Sequence, residues 1–113
     1  MRTKGSYLGD LEEVVLLAVV RCEPEAYGMR IRREIEGQSG RKVAIGAVYA
    51  SLERLEDKGL VRLAEPPPDD GRDGRPRRFF SITQAGRRAL QETAAVRDSL
   101  WRGLKLNRGG RPS

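Results

Sequence analysis

The spacing of the apolar residues changes from a helical period to a strand period at Gly59, and this change limits the folds open to the chain. Before Gly59, residues 44–57 place an apolar side chain every three or four positions, which is typical of a helix with one buried face. The buried stripe of this helix is expected to consist of Ile45, Val48, Leu52 and Leu55. After Gly59, residues 60–65 alternate between apolar and polar, and residues 77–82 do the same. The sequence therefore predicts a helix that is followed directly by a β-hairpin.

Two more helices are expected upstream of this unit. Asp10 with Glu13 resembles a capping box at the start of an apolar run that keeps helical spacing to about Cys22. A buried strand is the alternative for this run, but the cap and the length of the run favour a helix. A second helix is expected over about residues 27–36, with Gly37 as its stop.

The remaining segments complete the pattern. Residues 66–76 are rich in proline, glycine and aspartate, so they are expected to form an open wing tip between the two strands. Thr83 is placed to cap a last helix over about residues 84–106. Residues 1–7 are expected to form a loose basic lead with Arg2 and Lys4, and the tail, residues 107–113, is expected to be disordered.

The order helix, helix, helix, hairpin, helix predicts a mainly α fold with a small β-hairpin. It corresponds to a winged helix-turn-helix over residues 1–83, followed by a C-terminal dimerisation helix over residues 84–106. The recognition helix is expected at about 44–57, and the wing at about 60–82. A chain of 113 residues suits one such domain, and a second copy would add core that the single chain lacks.

Charge and residue usage narrow the function. The chain has 22 Lys and Arg against 16 Asp and Glu, a net charge of +6 that favours nucleic acid or an anionic membrane as partner, with a role in solubility as the alternative. It has no histidine and a single cysteine, Cys22, so common metal sites, histidine-based catalysis and an internal disulfide are disfavoured. We therefore expect no enzyme, metal or cofactor, a buried inert thiol and a cytoplasmic location. The longest apolar run, 14–20, is too short to span a bilayer, so no membrane partner is expected.

The outward positions of the predicted recognition helix are mostly small. They are Gly46, Ala47, Ala50 and Ser51, with Tyr49 among them. Small side chains let a helix enter a major groove about 12 Å wide, and packing against another helix is the alternative. Basic side chains placed to reach phosphates are Arg41 and Lys42 at the start of the helix and Arg54 and Lys58 near its end.

The predicted wing adds a second basic element. It contains Arg72, Arg75, Arg77 and Arg78, opposed by Asp69, Asp70 and Asp73. Guanidinium groups on a hairpin suit a phosphate backbone or a minor groove. A solvated strand edge, on which charge prevents unwanted strand pairing, is the alternative.

Four stretches carry a resemblance to a known family: LGDLEEVVLLAVV, AYGMRIRREIE, VAIGAVYASLERLEDKGLV and RRFFSITQAGRRAL. With them, residues 8–104 resemble the PadR family of transcriptional regulators, in the short class that has one C-terminal helix. In the third and most specific stretch, the family pattern falls on Gly46, Tyr49, Leu52, Leu55 and Gly59. The resemblance implies that Tyr49 touches the DNA backbone and that residues 83–106 pack in a dimer.

The chain departs from the family pattern in two places. Ala44 stands where a serine is common, so a helix cap is expected to be missing. Phe79 and Phe80 stand where a tyrosine is usual, which removes a hydroxyl group. The contacts that the family pattern implies for the serine and tyrosine side chains therefore do not carry over to these positions.

The last predicted helix carries an apolar seam at heptad-like spacing, which usually requires a partner helix. The expected dimer interface consists of Leu16, Leu17, Val20, Leu90, Val96, Leu100, Trp101 and Leu104. One broad stripe that folds back on the first helix is the alternative. In similar multidrug-sensing members of the family an aromatic residue on this helix stacks flat ligands, which makes Trp101 a candidate ligand contact, with a packing anchor as the alternative.

The sequence therefore predicts a sequence-specific, DNA-binding transcriptional regulator. It is expected to be a repressor that binds double-stranded DNA at a near-palindromic operator as a homodimer, with a small aromatic effector as a candidate for its release. A winged-helix module that uses the same helix to bind a protein is the alternative function.

Overall fold

A computed structural model describes residues 8–68 and 77–106 of the chain. It contains four helices and two strands, and the two strands pair antiparallel, so the predicted mainly α fold with a small hairpin is confirmed. The elements are α1 (Asp10–Cys22), α2 (Gly28–Ser39), α3 (Ile45–Asp57), β1 (Val61–Ala64), β2 (Phe79–Ile82) and α4 (Gln84–Trp101). The expectations for the two chain ends and for the wing tip with Arg72 and Arg75 lie outside the described residues.

The core lies between α1, α2 and α3 and is closed by the hairpin. Val15, Val19, Ile31 and Val48 are all completely buried, and Phe80 of β2 is inserted among the helices at 1% exposure. Burial of this apolar surface drives folding of a chain of this size. No helix within the described ranges is long and apolar enough to cross a membrane.

The start of α1 differs from the prediction by one residue. The cap is Gly9, whose amide donates a 2.9 Å hydrogen bond to Oε1 of Glu12. The predicted capping box of Asp10 with Glu13 is wrong, because Asp10 is already the first helical residue and the third residue after the cap is therefore Glu12.

The ends of α2 and α4 also differ from the prediction. Gly37 lies inside α2, and the helix stops at Gly40, whose φ of 70° is the left-handed conformation that glycine adopts most easily. α4 ends at Trp101 rather than at 106, so Leu104 lies beyond the helix. The predicted cap of α4 is confirmed, since Thr83 Oγ1 accepts a 3.0 Å hydrogen bond from the amide of Gly86.

The hairpin is tied to the α1–α2 connection by two hydrogen bonds that backbone amides of β2 donate. The amide of Phe80 donates to the carbonyl of Ala26 at 2.9 Å, and the amide of Ile82 donates to Oε2 of Glu23 at 2.8 Å. β2 is therefore bonded to β1 on one side and to the α1–α2 connection on the other. This arrangement sets the base of the wing beside the first turn of α2.

Candidate nucleic-acid interface

The exposed face of α3 is smaller than the sequence predicted. Gly46 is exposed, Tyr49 is half exposed, and Ala47 and Ala50 are partly buried. Ser51 is fully buried, so its predicted outward position is wrong. The reason is its phase on the helix, because Ser51 lies between Val48 and Leu55 in the stripe that faces the core.

Tyr49 is held by a close approach between α3 and α2. Its ring lies on Gly28, the first residue of α2, and a Cβ at position 28 would overlap the ring. Only glycine therefore allows this contact at position 28. The contact places the Tyr49 hydroxyl group beside the first turn of α2.

The turn before α3 is fixed by a hydrogen bond and is flanked by basic side chains. The amide of Val43 donates to Oε2 of Glu36 at 3.1 Å, and this bond lowers the pKa of the Glu36 carboxyl. Arg41 and Lys42 are exposed here, and Nη2 of Arg41 lies 3.4 Å from Oδ2 of Asp10. An exposed ion pair of this length contributes little stability.

The two basic residues at the end of α3 are both paired with one carboxylate of α1. Nε of Arg54 lies 3.1 Å from Oε2 of Glu12, and Nζ of Lys58 lies 2.6 Å from Oε1 of the same carboxylate. Sequence reasoning missed Glu12, although it occupies the same face of α1 as the buried Val15 and Val19. A charged residue in the phase of a buried stripe is a signal for an internal ion pair.

The base of the wing is built around Tyr27. Its ring meets Phe79 edge-on at 5.5 Å between centroids, and the guanidinium group of Arg77 lies 4.6 Å from the ring centroid. Its hydroxyl group accepts a 3.1 Å hydrogen bond from Nη2 of Arg33. Arg78, in turn, lies 5.4 Å from the centroid of the Phe80 ring. Tyr27 thus holds Arg77 beside the start of α2, whereas Nη2 of Arg78 lies 4.0 Å from Oε1 of Glu56 near the end of α3.

Comparison with known proteins decides the family. Residues 16–92, well over half of the chain, match the model of the "Transcriptional regulator PadR-like family". The chain belongs to the PadR-like family of transcriptional regulators. Members of this family are DNA-binding winged-helix proteins, in agreement with the fold described above.

Three relatives illustrate the extent of the similarity. An uncharacterized 37.1 kDa protein in transposon TN4556 of Streptomyces fradiae is 36% identical over 85 residues, which cover 75% of this chain and 22% of that protein. A complex structure of RosR from H. salinarum is 27% identical, covers 86% of this chain and 76% of that chain, and has a TM-score of 0.66. A PadR-like transcription factor from Bacteroides fragilis shares the fold, with 24% identity, coverage of 80% and 82%, and a TM-score of 0.64. This PadR-like chain thus spans about a fifth of the length of the first of these relatives.

The PadR-like chain also has exposed apolar side chains on helices α1 and α4 and at Leu104, three residues beyond the end of α4. We define this α1–α4 face by Leu17, Val20, Val96, Leu100 and Leu104, which are 39% to 72% exposed. Nη2 of Arg97 lies 2.9 Å from Oε1 of Glu13, which ties α4 to α1 beside this face. Leu16 is completely buried, so its predicted place in a dimer interface is wrong, and Leu90 packs partly against the core. The helical phase of Leu16, one residue before Leu17, directs it to the protomer's own interior.

Two predicted single residues have defined surroundings. Trp101, at the end of α4, lines an open cavity of about 430 Å³ together with Asp98, Arg102, Leu104 and Leu106. Cys22 is 3% exposed, as predicted, and burial raises the pKa of its thiol.

Proposed function

We propose that this regulator binds a near-palindromic operator as a homodimer and represses transcription from the promoter that contains it. α3 would enter the major groove, and the segment 84–106 would supply the dimer contact. Two copies of α3 related by a twofold axis would read half-sites about 34 Å apart. Repression follows if the bound dimer occupies the site that the polymerase needs.

The observation that carries this proposal is the small exposed face of α3, together with exposed basic side chains in the turn before this helix and at the base of the wing. Gly46 has no side chain, and nothing lies within 4 Å of the position that a Cβ would take there. Ala47 and Ala50 add only methyl groups, so the backbone of α3 can approach base edges closely. The proposed phosphate contacts are Arg41, Lys42, Tyr49, Arg77 and Arg78, and the predicted contact by Arg75 lies outside the described residues.

A charge placed on this face tests the proposal. Gly46→Glu adds an acidic side chain to the first turn of α3, which now has none, so helix stability should be kept or raised. The same carboxylate would face the DNA and should reduce binding at least a hundredfold. Binding would be measured at about 150 mM salt, by fluorescence anisotropy, on a duplex that the wild-type protein selects from a random library.

Gly37→Glu is the matched control. Gly37 is an exposed glycine inside α2, again with nothing within 4 Å of its Cβ position, and the change in charge is the same. The control should bind DNA within a few fold of the wild type. Equal binding by both variants would contradict the placement of α3 in the groove. A wild-type dimer that selects no sequence would favour the protein-binding module instead.

We also propose that a small aromatic effector stacks on Trp101 and releases the protein from DNA. The cavity beside Trp101 supports this, because it combines an aromatic surface with the opposite charges of Asp98 and Arg102. An effector should quench Trp101 fluorescence and release the duplex over the same range of concentration. Quenching without release would contradict control of DNA binding through this cavity.

A further inference from the structure

One carboxylate joins the start of α1 to the end of α3. Glu12 is 6% exposed, and its Oε1 accepts hydrogen bonds from the amide of Gly9 at 2.9 Å and from Nζ of Lys58 at 2.6 Å. Its Oε2 accepts a 3.1 Å hydrogen bond from Nε of Arg54. Arg54 lies in the last turn of α3, the helix proposed to read DNA, and Lys58 is the residue that follows this helix.

Arg54 is held from a second side as well. Its Nη2 lies 3.5 Å from Oγ of Ser51, which is completely buried. The Arg54 side chain is 54% exposed, but a phosphate that recruited it would have to separate it from the Glu12 carboxylate, whose own side chain is only 8% exposed. The charge of Glu12 would then be left with one cation. These contacts favour Glu12 as the partner of Arg54 and Lys58.

We propose that Glu12 is a positioning residue for DNA recognition: it fixes the end of α3 against the start of α1, and Arg54 and Lys58 act through it rather than on a phosphate. The proposal rests on the proposed role of α3 as the recognition helix. It explains why two basic residues lie at the end of a recognition helix and face an acid. The exposed face of α3, including Tyr49, would then be oriented by a contact that does not touch DNA.

Glu12→Gln tests this, because glutamine keeps the shape but removes the charge that both cations share. Affinities would be measured for a duplex that the wild type selects from a random library and for a scrambled duplex of equal length. We expect the ratio of the two affinities to fall at least tenfold, with a loss on the scrambled duplex of less than threefold. Glu13→Gln is the control, since it is the next residue of the same helix, makes the same charge change and pairs with Arg97 of α4.

Arg54→Gln separates positioning from phosphate contact. Loss of one phosphate contact would reduce the slope of log K against log salt by about 0.9 on duplex DNA. We expect Arg54→Gln to lower the affinity ratio but to leave this slope as in the wild type. The double variant should then bind no worse than Glu12→Gln alone, within threefold, because both changes remove the same contact.

Several results would overturn the proposal. One is that Glu12→Gln and Arg54→Gln both keep the affinity ratio of the wild type. Another is that the losses of the two single variants multiply in the double variant. A third is that Arg54→Gln reduces the slope of log K against log salt by about 0.9. If Glu12→Gln fails to fold, as judged by circular dichroism, the slope and ratio of Arg54→Gln decide the question alone. A wild-type protein that selects no sequence contradicts the proposed function together with this inference, whereas unaffected variants beside a selective wild type contradict this inference alone.

Discussion

Glu12 also links protonation to folding. Burial raises the pKa of its carboxyl, but the hydrogen bonds from the Gly9 amide, Lys58 and Arg54 together lower the pKa by more than burial raises it. The net result is a pKa below the ordinary value of 4.5. A carboxyl whose pKa is lower in the folded than in the unfolded protein stabilises the fold at pH values above the unfolded pKa. This stabilisation is lost as the pH falls through the folded pKa.

We therefore expect the free energy of unfolding of the wild type to fall as the pH is lowered below 4.5, and that of Glu12→Gln to fall less. At pH 7 the variant should be less stable by roughly 1–3 kcal/mol, because both cations lose their carboxylate. Urea unfolding followed by circular dichroism at pH 7 and at about pH 3.5 would measure both quantities. The carboxyl groups of Glu34 and Glu36 also have lowered pKa values, so a residual slope is expected in the variant. If the free energy of unfolding of Glu12→Gln fell with pH as steeply as that of the wild type, Glu12 would not be a source of the pH dependence.

Gly86 is a residue whose missing side chain is required. A Cβ on Gly86 would overlap the carbonyl oxygen of Leu60, which is itself bonded to the amide of Thr83 at 3.1 Å. Gly86→Ala should therefore cost about 1–3 kcal/mol of stability, as overpacking does elsewhere. Gly37→Ala, in open space on α2, should instead gain up to about 1 kcal/mol. Chemical denaturation of both variants would check the opposite signs.

Among the elements, α3 begins without a side-chain cap. Ala44 has the extended backbone of a cap residue, with φ −68° and ψ 140°, but its side chain accepts no hydrogen bond. Ala44→Ser should therefore stabilise the protein by about 0.5–2 kcal/mol, because the hydroxyl group can accept from an early amide of α3. The shift in urea midpoint at constant slope would measure this gain. An unchanged midpoint would mean that the serine side chain prefers water to the helix amides.

The elements could be predicted from the sequence because each has its own period and most have a recognisable end. Gly59, with a φ of 76°, ends α3 as expected. The choice between Gly37 and Gly40 depends on which of them adopts a positive φ, and composition does not encode that. The helical spacing already placed Ser51 in the buried stripe of α3, but its small polar side chain favoured an exposed position in the prediction. Glu12 meets its partners on α3 across 42 and 46 positions of sequence, a tertiary contact that no local pattern contains.

At the scale of the whole molecule, the described residues leave the apolar side chains of the α1–α4 face exposed. On α4, Leu100 is 72% exposed and Val96 is 54% exposed, and on α1, Leu17 is 46% exposed. Several large apolar side chains left exposed on two helices are typical of an interaction site on a small protein. A second copy of the chain is the occupant we propose, because a twofold axis would also present two copies of α3 to DNA.

Leu100→Glu tests this dimer. A carboxylate on α4 would be buried without a partner in the dimer but would face water in the monomer, so we expect the dimer to dissociate at micromolar concentration. Sedimentation equilibrium would measure this dissociation. The affinity for the selected duplex should fall as well, because one dimer would no longer bind both half-sites. Leu63→Glu is the matched control, since Leu63 is 50% exposed on β1 and lies away from the α1–α4 face. The control should sediment as the wild type does, and a Leu100→Glu protein that remains dimeric would place the interface elsewhere on the molecule.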